Sequence, residues 1–275
     1  MSAVHVTVWD DRDGVGGDQD QVSAAAALFV HNIFAWGSDS TYGFAGQRPL
    51  AGGRRLLLMD RRGYGDSPDT ARSDFDVDAE DVVEILDDGT CTAGNGGTHL
   101  VGHGNGGVVA LIAAARRPDL IRSLALIQPS AFAAAADRPV VADLLERVRD
   151  GAPNALDGVT PEQYLRASTE GLGMAAPDPT PRRLRAVATA MRERPVWEAQ
   201  IPLETIRDAA LPVLVICGTW EQAPAAYREH VGLPLMAVAE SLTDSLGGRL
   251  LQVPGYYPHI QEPAAVNAAL QEFWG

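Results

Sequence analysis

One stretch constrains the fold more than any other: His99-Leu-Val-Gly-His-Gly-Asn-Gly-Gly-Val-Val-Ala-Leu-Ile112. It reads as a short apolar strand, a sharp glycine turn and a helix rich in alanine and valine. The glycines allow a strand and the following helix to approach closely, and a helix that starts directly from a strand end belongs to alternating α/β architecture.

The rest of the chain repeats that alternation. Apolar runs occur at Val4–Trp9, Ala24–Val30, Arg55–Met59, Ser123–Ile127, Pro212–Cys217 and Arg249–Val253. Short, continuously apolar runs suit strands buried on both faces of a parallel sheet. Helical patterns at Val77–Leu86, Gly107–Arg116, Pro224–Leu246 and Ala264–Trp274 separate several of them. The expected fold class is therefore α/β, a doubly wound and mostly parallel sheet. Residues 131–208 break the alternation with helical patterns and no strand signal, which predicts a helical cap over a core made of 1–130 and 209–275. Such an insertion would sit above the carboxyl ends of the strands, where open α/β sheets hold their ligands.

Charge narrows the partners. The formal net charge is −14 and every Lys/Arg position is arginine, which opposes nucleic acid and anionic membrane surfaces. No apolar run reaches the ~20 residues of a membrane span, and no signal-peptide pattern opens the chain, so a cytoplasmic location is expected. Cys91 and Cys217 are expected to be free thiols. The acidic, glycine-rich Asp10–Gln21 stretch reads as a solvated loop. No histidine or cysteine pair has metal-ligand spacing, and no cofactor fingerprint stands apart from the glycine turn. Oligomeric state is not readable.

The glycine turn has the form G-x-S-x-G with its centre changed: Gly102, His103, Gly104, Asn105, Gly106. Together with Asp60-Arg-Arg-Gly-Tyr-Gly-Asp-Ser-Pro68 and Arg116-Arg-Pro-Asp-Leu-Ile-Arg-Ser-Leu124, it resembles the α/β-hydrolase superfamily, and within it bacterial members of natural-product pathways. That resemblance implies a nucleophile elbow whose serine position is Gly104. The family's acid would fall on Glu221 in Gly218-Thr-Trp-Glu221. Its histidine base has two alignments in Gly255-Tyr-Tyr-Pro-His-Ile-Gln-Glu-Pro263: the position falls on Tyr256, or a shortened loop brings His259 into it. The oxyanion turn carries His31-Asn32 in place of the family's His-Gly, with backbone donors expected at Ile33 and Asn105. Phe34, Trp36, Trp197, Trp220 and Tyr257 are expected to line an apolar pocket.

Three functions are compatible with this pattern. The first is a cofactor-independent, non-hydrolytic enzyme (isomerase, cyclase or lyase) acting on a small apolar secondary metabolite, with His103, His259, Tyr256 or Tyr257 moving a proton. The second is a non-catalytic binder of an apolar or aromatic small molecule. The third is a hydrolase, using water activated by His259 and Glu221, or one in which Gly104 replaces an original serine.

Overall fold

The computed structural model describes residues 4–11, 24–88, 97–150 and 156–275. Cys91 and most of the acidic Asp10–Gln21 stretch lie outside these residues. Seven strands form one sheet: β1 (Val6–Trp9), β2 (Ala27–Val30), β3 (Leu56–Met59), β4 (Thr98–His103), β5 (Ile121–Ile127), β6 (Val213–Gly218) and β7 (Arg249–Val253), in the order β1-β3-β2-β4-β5-β6-β7. β1 pairs antiparallel with β3, and all other pairs are parallel.

The continuous apolar runs have a simple cause. Successive strand residues point to opposite faces, and both faces are covered. Leu28 and Val30, Leu57 and Met59, Leu124 and Leu126, and Val213 and Val215 enter one core with helices α1 (Phe75–Asp87) and α2 (Asn105–Arg116) and the helix Leu233–Leu246. Ala27 and Phe29, Leu56 and Leu58, Ala125 and Ile127, and Leu214 and Ile216 enter the other, with Phe44, Leu50 and the C-terminal helix Pro263–Trp274.

Register positions the site. Val30 of β2 pairs with Gly102 of β4, so two residues further on Asn32 stands beside Gly104. Gly106 is obligatory: a Cβ there would overlap the Val30 carbonyl. Between β5 and β6 the chain forms α3 (Pro139–Asp150), α4 (Pro161–Thr169), α5 (Pro181–Ala190) and α6 (Leu203–Asp208). α4 and α5 begin with threonine caps, Thr160 and Thr180, each followed by proline at the first helical position, a pairing that fixes a helix start. Leu165 and Val187 of these helices close over Phe34 in a small apolar cluster of their own. No helix among the described residues is long and apolar enough to cross a membrane.

Arginines strap α5 to the strand-end loops. Arg183 donates to both oxygens of Asp39 at 2.7 and 2.8 Å, and to the Phe34 carbonyl, with both charged side chains buried. Arg185 reaches the Gly65 and Ser67 carbonyls at 2.8 Å each. Breaking a buried ion pair leaves one charge uncompensated, at a cost of about 3–5 kcal/mol. Arg183→Leu is therefore expected to lose stability of that order in urea unfolding. Arg183→Lys should recover only part of it, because the planar two-pronged contact is gone.

Candidate active site

Gly104 sits at the tip of the β4–α2 turn with φ 55° and ψ −119°, a conformation that costs a non-glycine residue about 1–3 kcal/mol. A Cβ on Gly104 would fall inside van der Waals contact of all three carboxamide atoms of Asn32. The Asn32 side chain thus fills the space into which a side chain at 104 would project. Its Oδ1 accepts the Asn105 backbone N–H at 3.0 Å, one of the free donors at the start of α2. The backbone donor that an oxyanion would take at Asn105 is therefore already bonded.

His31 holds Asn32 in place. Its Nε2 accepts the Arg61 N–H at 3.0 Å, so Nδ1 carries the proton and donates to the Asn32 carbonyl at 2.6 Å. Burial, then the Arg61 charge, pushes the His31 pKa well below its ordinary value, which keeps the ring neutral.

A cavity of about 670 Å³ opens above this floor. Asn32, Ile33, Phe34, His103, Gly104, Asn105, Trp197, Trp220 and Tyr257 all line it. Phe34, Gln128 and Trp220 hold positive φ angles of 61°, 44° and 61°. Non-glycine residues in such conformations concentrate at functional sites, and these three surround the cavity.

Other expected residues lie elsewhere. Trp36 is absent from the lining; its ring packs under the guanidinium groups of Arg182 and Arg183 at 4.5 and 4.8 Å, where it supports the α5 straps. Tyr256 is also outside the lining. Gln261 Oε1 accepts its N–H and that of Tyr257, both at 2.7 Å, and its ring packs among Trp220, Tyr227 and Tyr257. The loop thereby sends Tyr257 into the cavity, with its hydroxyl 2.6 Å from that of Tyr227. Glu221 is exposed on the turn after β6. His259 is fully buried, outside the lining, with its ring 4.1 Å from that of His103 and neither ring nitrogen hydrogen-bonded. No acid–base pair therefore joins Glu221 to His259. Burial pushes the His259 pKa down to about 4. His103 is likewise held well below the ordinary range by burial, then by His259 and His31.

The most connected polar group at the floor gave no sequence signal. Glu193, in the chain just after α5, accepts from Arg61 Nη1 at 2.7 Å, Arg61 Nη2 at 3.3 Å, the Tyr64 hydroxyl at 2.6 Å and Asn105 Nδ2 at 3.2 Å. Arg61 also donates to buried Asp78 at 3.0 Å. In sequence, Glu193 lies in Met191-Arg-Glu-Arg194 and looks like one solvated charge among several. Four donors use the lone pairs of a carboxylate, so Glu193 acts as a brace between the inserted helices and the core. Away from the cavity, His5, Asp60 and Asp66 cluster. The Gly37 and Asp66 N–H groups bond Asp60, and Arg182 lies 2.8 Å from Asp66, so the charge of this cluster is already met.

The family model for the alpha/beta hydrolase fold matches residues 28–220. The chain belongs to the α/β-hydrolase family. Among curated relatives, the mouse sn-1-specific diacylglycerol lipase ABHD11 is 30% identical over 106 residues, covering 38% of this chain and 33% of the lipase. The chain thus spans about a third of that relative's length. Among solved structures, an alpha/beta hydrolase from Sphaerobacter thermophilus superposes with a TM-score of 0.64 at 23% identity, covering 99% of this chain and 96% of that one. NosK from Streptomyces actuosus superposes at 0.60 with 24% identity, covering 92% and 98%. At these identities the structures establish the α/β-hydrolase fold.

Gly104→Ser collides with Asn32 and is expected to destabilise the α/β-hydrolase domain by several kcal/mol, combining backbone strain with displacement of a bonded carboxamide. Asn32→Gly in the same chain should return a large part of that loss, a strong coupling visible in a double-mutant cycle of thermal unfolding. For His259, the folded pKa lies below the unfolded one. Its neutral burial stabilises the fold above pH 6.5, and that contribution is lost as pH falls toward 4. Asp78, raised to about 7 chiefly by burial, works in the opposite sense, so the comparison must be with a variant. Relative to wild type, His259→Phe should gain up to about 1.4 kcal/mol per pH unit between pH 6.5 and 4, measured as urea midpoints.

Proposed function

We propose that this protein binds a small, largely apolar or aromatic molecule in the cleft between the sheet ends and a helical cap of residues 131–208, and that it does so without acyl-enzyme hydrolysis. One observation carries this: the Asn32 carboxamide stands where a nucleophile's side chain would project and already takes the Asn105 N–H. A serine mechanism needs that space, that donor and a base paired to an acid. The positions that would supply them hold Gly104, a bonded Asn105, a histidine sealed from the cleft and an exposed Glu221. What the site keeps is volume and apolar wall, with Phe34, Trp197, Trp220 and Tyr257 among the lining, the composition of a site for a planar metabolite.

A second function, non-hydrolytic catalysis of the isomerase, cyclase or lyase type, is favoured by His103. Its neutral ring lines the cleft beside Gly104; Nδ1 is sealed without a partner, so proton exchange with a bound molecule falls to Nε2. Glu193 is poorly suited to that role because four donors already converge on it.

The test combines binding and turnover. N-phenyl-1-naphthylamine should bind saturably with a fluorescence rise, and Ala190→Trp, which fills the cleft from α5, should weaken binding at least tenfold. p-Nitrophenyl butyrate should be hydrolysed no faster by wild type or by Gly104→Ser than by buffer. Ester turnover by wild type that disappears in His259→Ala would overturn the proposal. A native ligand recovered unchanged supports binding, and one recovered as an isomer supports the second function.

A further inference from the structure

The cleft floor carries a side-chain donor whose direction is set by a hydrogen bond and which has no partner among the described residues. Asn32 Oδ1 must face the Asn105 N–H, because only the oxygen can accept it. The amide nitrogen, Nδ2, therefore takes the other side of the carboxamide. Asn32 is half-buried and lines the cleft, and its Nδ2 neither bonds to the described residues nor is sealed from the cavity. The residue is held at two points, its backbone carbonyl by the His31 ring and its side-chain Oδ1 by the start of α2.

Three neighbouring polar groups that could compete for a ligand are committed within the protein. Glu193 accepts four hydrogen bonds. Gln128 donates to the Tyr256 carbonyl at 3.1 Å and accepts the Gly218 N–H at 3.0 Å. Arg194 is tied to Asp74, Asp76 and Glu198. A ligand in this apolar cleft that lacks an acceptor for Asn32 leaves a donor without a partner as water is displaced, which costs affinity.

We infer that Asn32 Nδ2 is the specificity-determining donor of the cleft, and that the molecule it holds is an apolar compound bearing a carbonyl oxygen directed at the floor beside Gly104. This rests on the cleft being a small-molecule site, as proposed above. The carbonyl would be read by a side-chain amide fixed in place, and with no side chain at 104 to attack it, it would remain intact.

A matched pair of probes isolates this contact. 2-Acetylnaphthalene and 2-ethylnaphthalene share size and ring system and differ in the ketone oxygen. Wild type should bind the ketone about 3- to 10-fold more tightly by competition with N-phenyl-1-naphthylamine, the range of one net hydrogen bond. Asn32→Asp keeps an acceptor for the Asn105 N–H and removes both donors, so the preference should fall to one or below. Asn32→Leu, similar in shape and uncharged, should bring it to one or below, because the buried ketone then has no donor, and it separates loss of the donor from the added charge. Equal binding of the two probes to wild type, or a ketone preference surviving in both variants, overturns the inference while leaving the cleft as a binding site. Failure of both probes and of the dye to bind wild type overturns the cleft's role as well.

Discussion

The hydrogen bond from the Asn105 N–H to Asn32 Oδ1 organises this site. It links the ends of two adjacent parallel strands, caps α2 at a position where Gly104 has no side chain to do so, and fixes which way a carboxamide faces. Each consequence depends on register. With Val30 opposite Gly102, Asn32 reaches Gly104; a slip of one residue would turn it to the other face of the sheet. The glycine and the asparagine form a complementary pair in which one supplies space and the other fills it.

The inserted helices depend on charge to stay over that pair. Arg183 with Asp39, and Arg61 with Glu193 and Asp78, are buried ion pairs. Their geometry is directional in a way apolar contact is not, and they fix how α5 and the following turn sit on the strand-end loops. Glu193 is at once a wall of the cleft and an anchor of the insertion. The cleft's shape and the docking of the helices are therefore set by the same side chain.

The fold was legible because strand and helix periods are local properties. The runs ending at Val30, Met59, Ile127 and Cys217 are all strands, and continuous apolarity correctly indicated a sheet covered on both faces. The elbow was legible because glycine at 102 and 106 is required by close backbone approach. Side-chain destinations were less so. The family spacing falls on Tyr256 or, with a shortened loop, on His259; Gln261 ties down that loop and presents Tyr257 to the cleft, while His259 is buried outside the lining. Trp36 had the composition of a pocket residue and serves as a platform for two arginines. Glu193 and Arg61 could not be paired from sequence, since 132 residues separate them and nothing local distinguishes them from surface charges. Asn32 was visible as an oddity in the oxyanion turn. What it does became visible only with its distance to Gly104.

The contact between positions 32 and 104 also couples what each can become. A side chain at 104 and the Asn32 carboxamide as it stands cannot share the space, so a substitution at either position is felt at the other. Filling 104 pushes the carboxamide off the Asn105 N–H, and shortening Asn32 leaves that N–H without its acceptor. A two-residue packing contact of this kind acts as a latch, in which neither half is free to change alone.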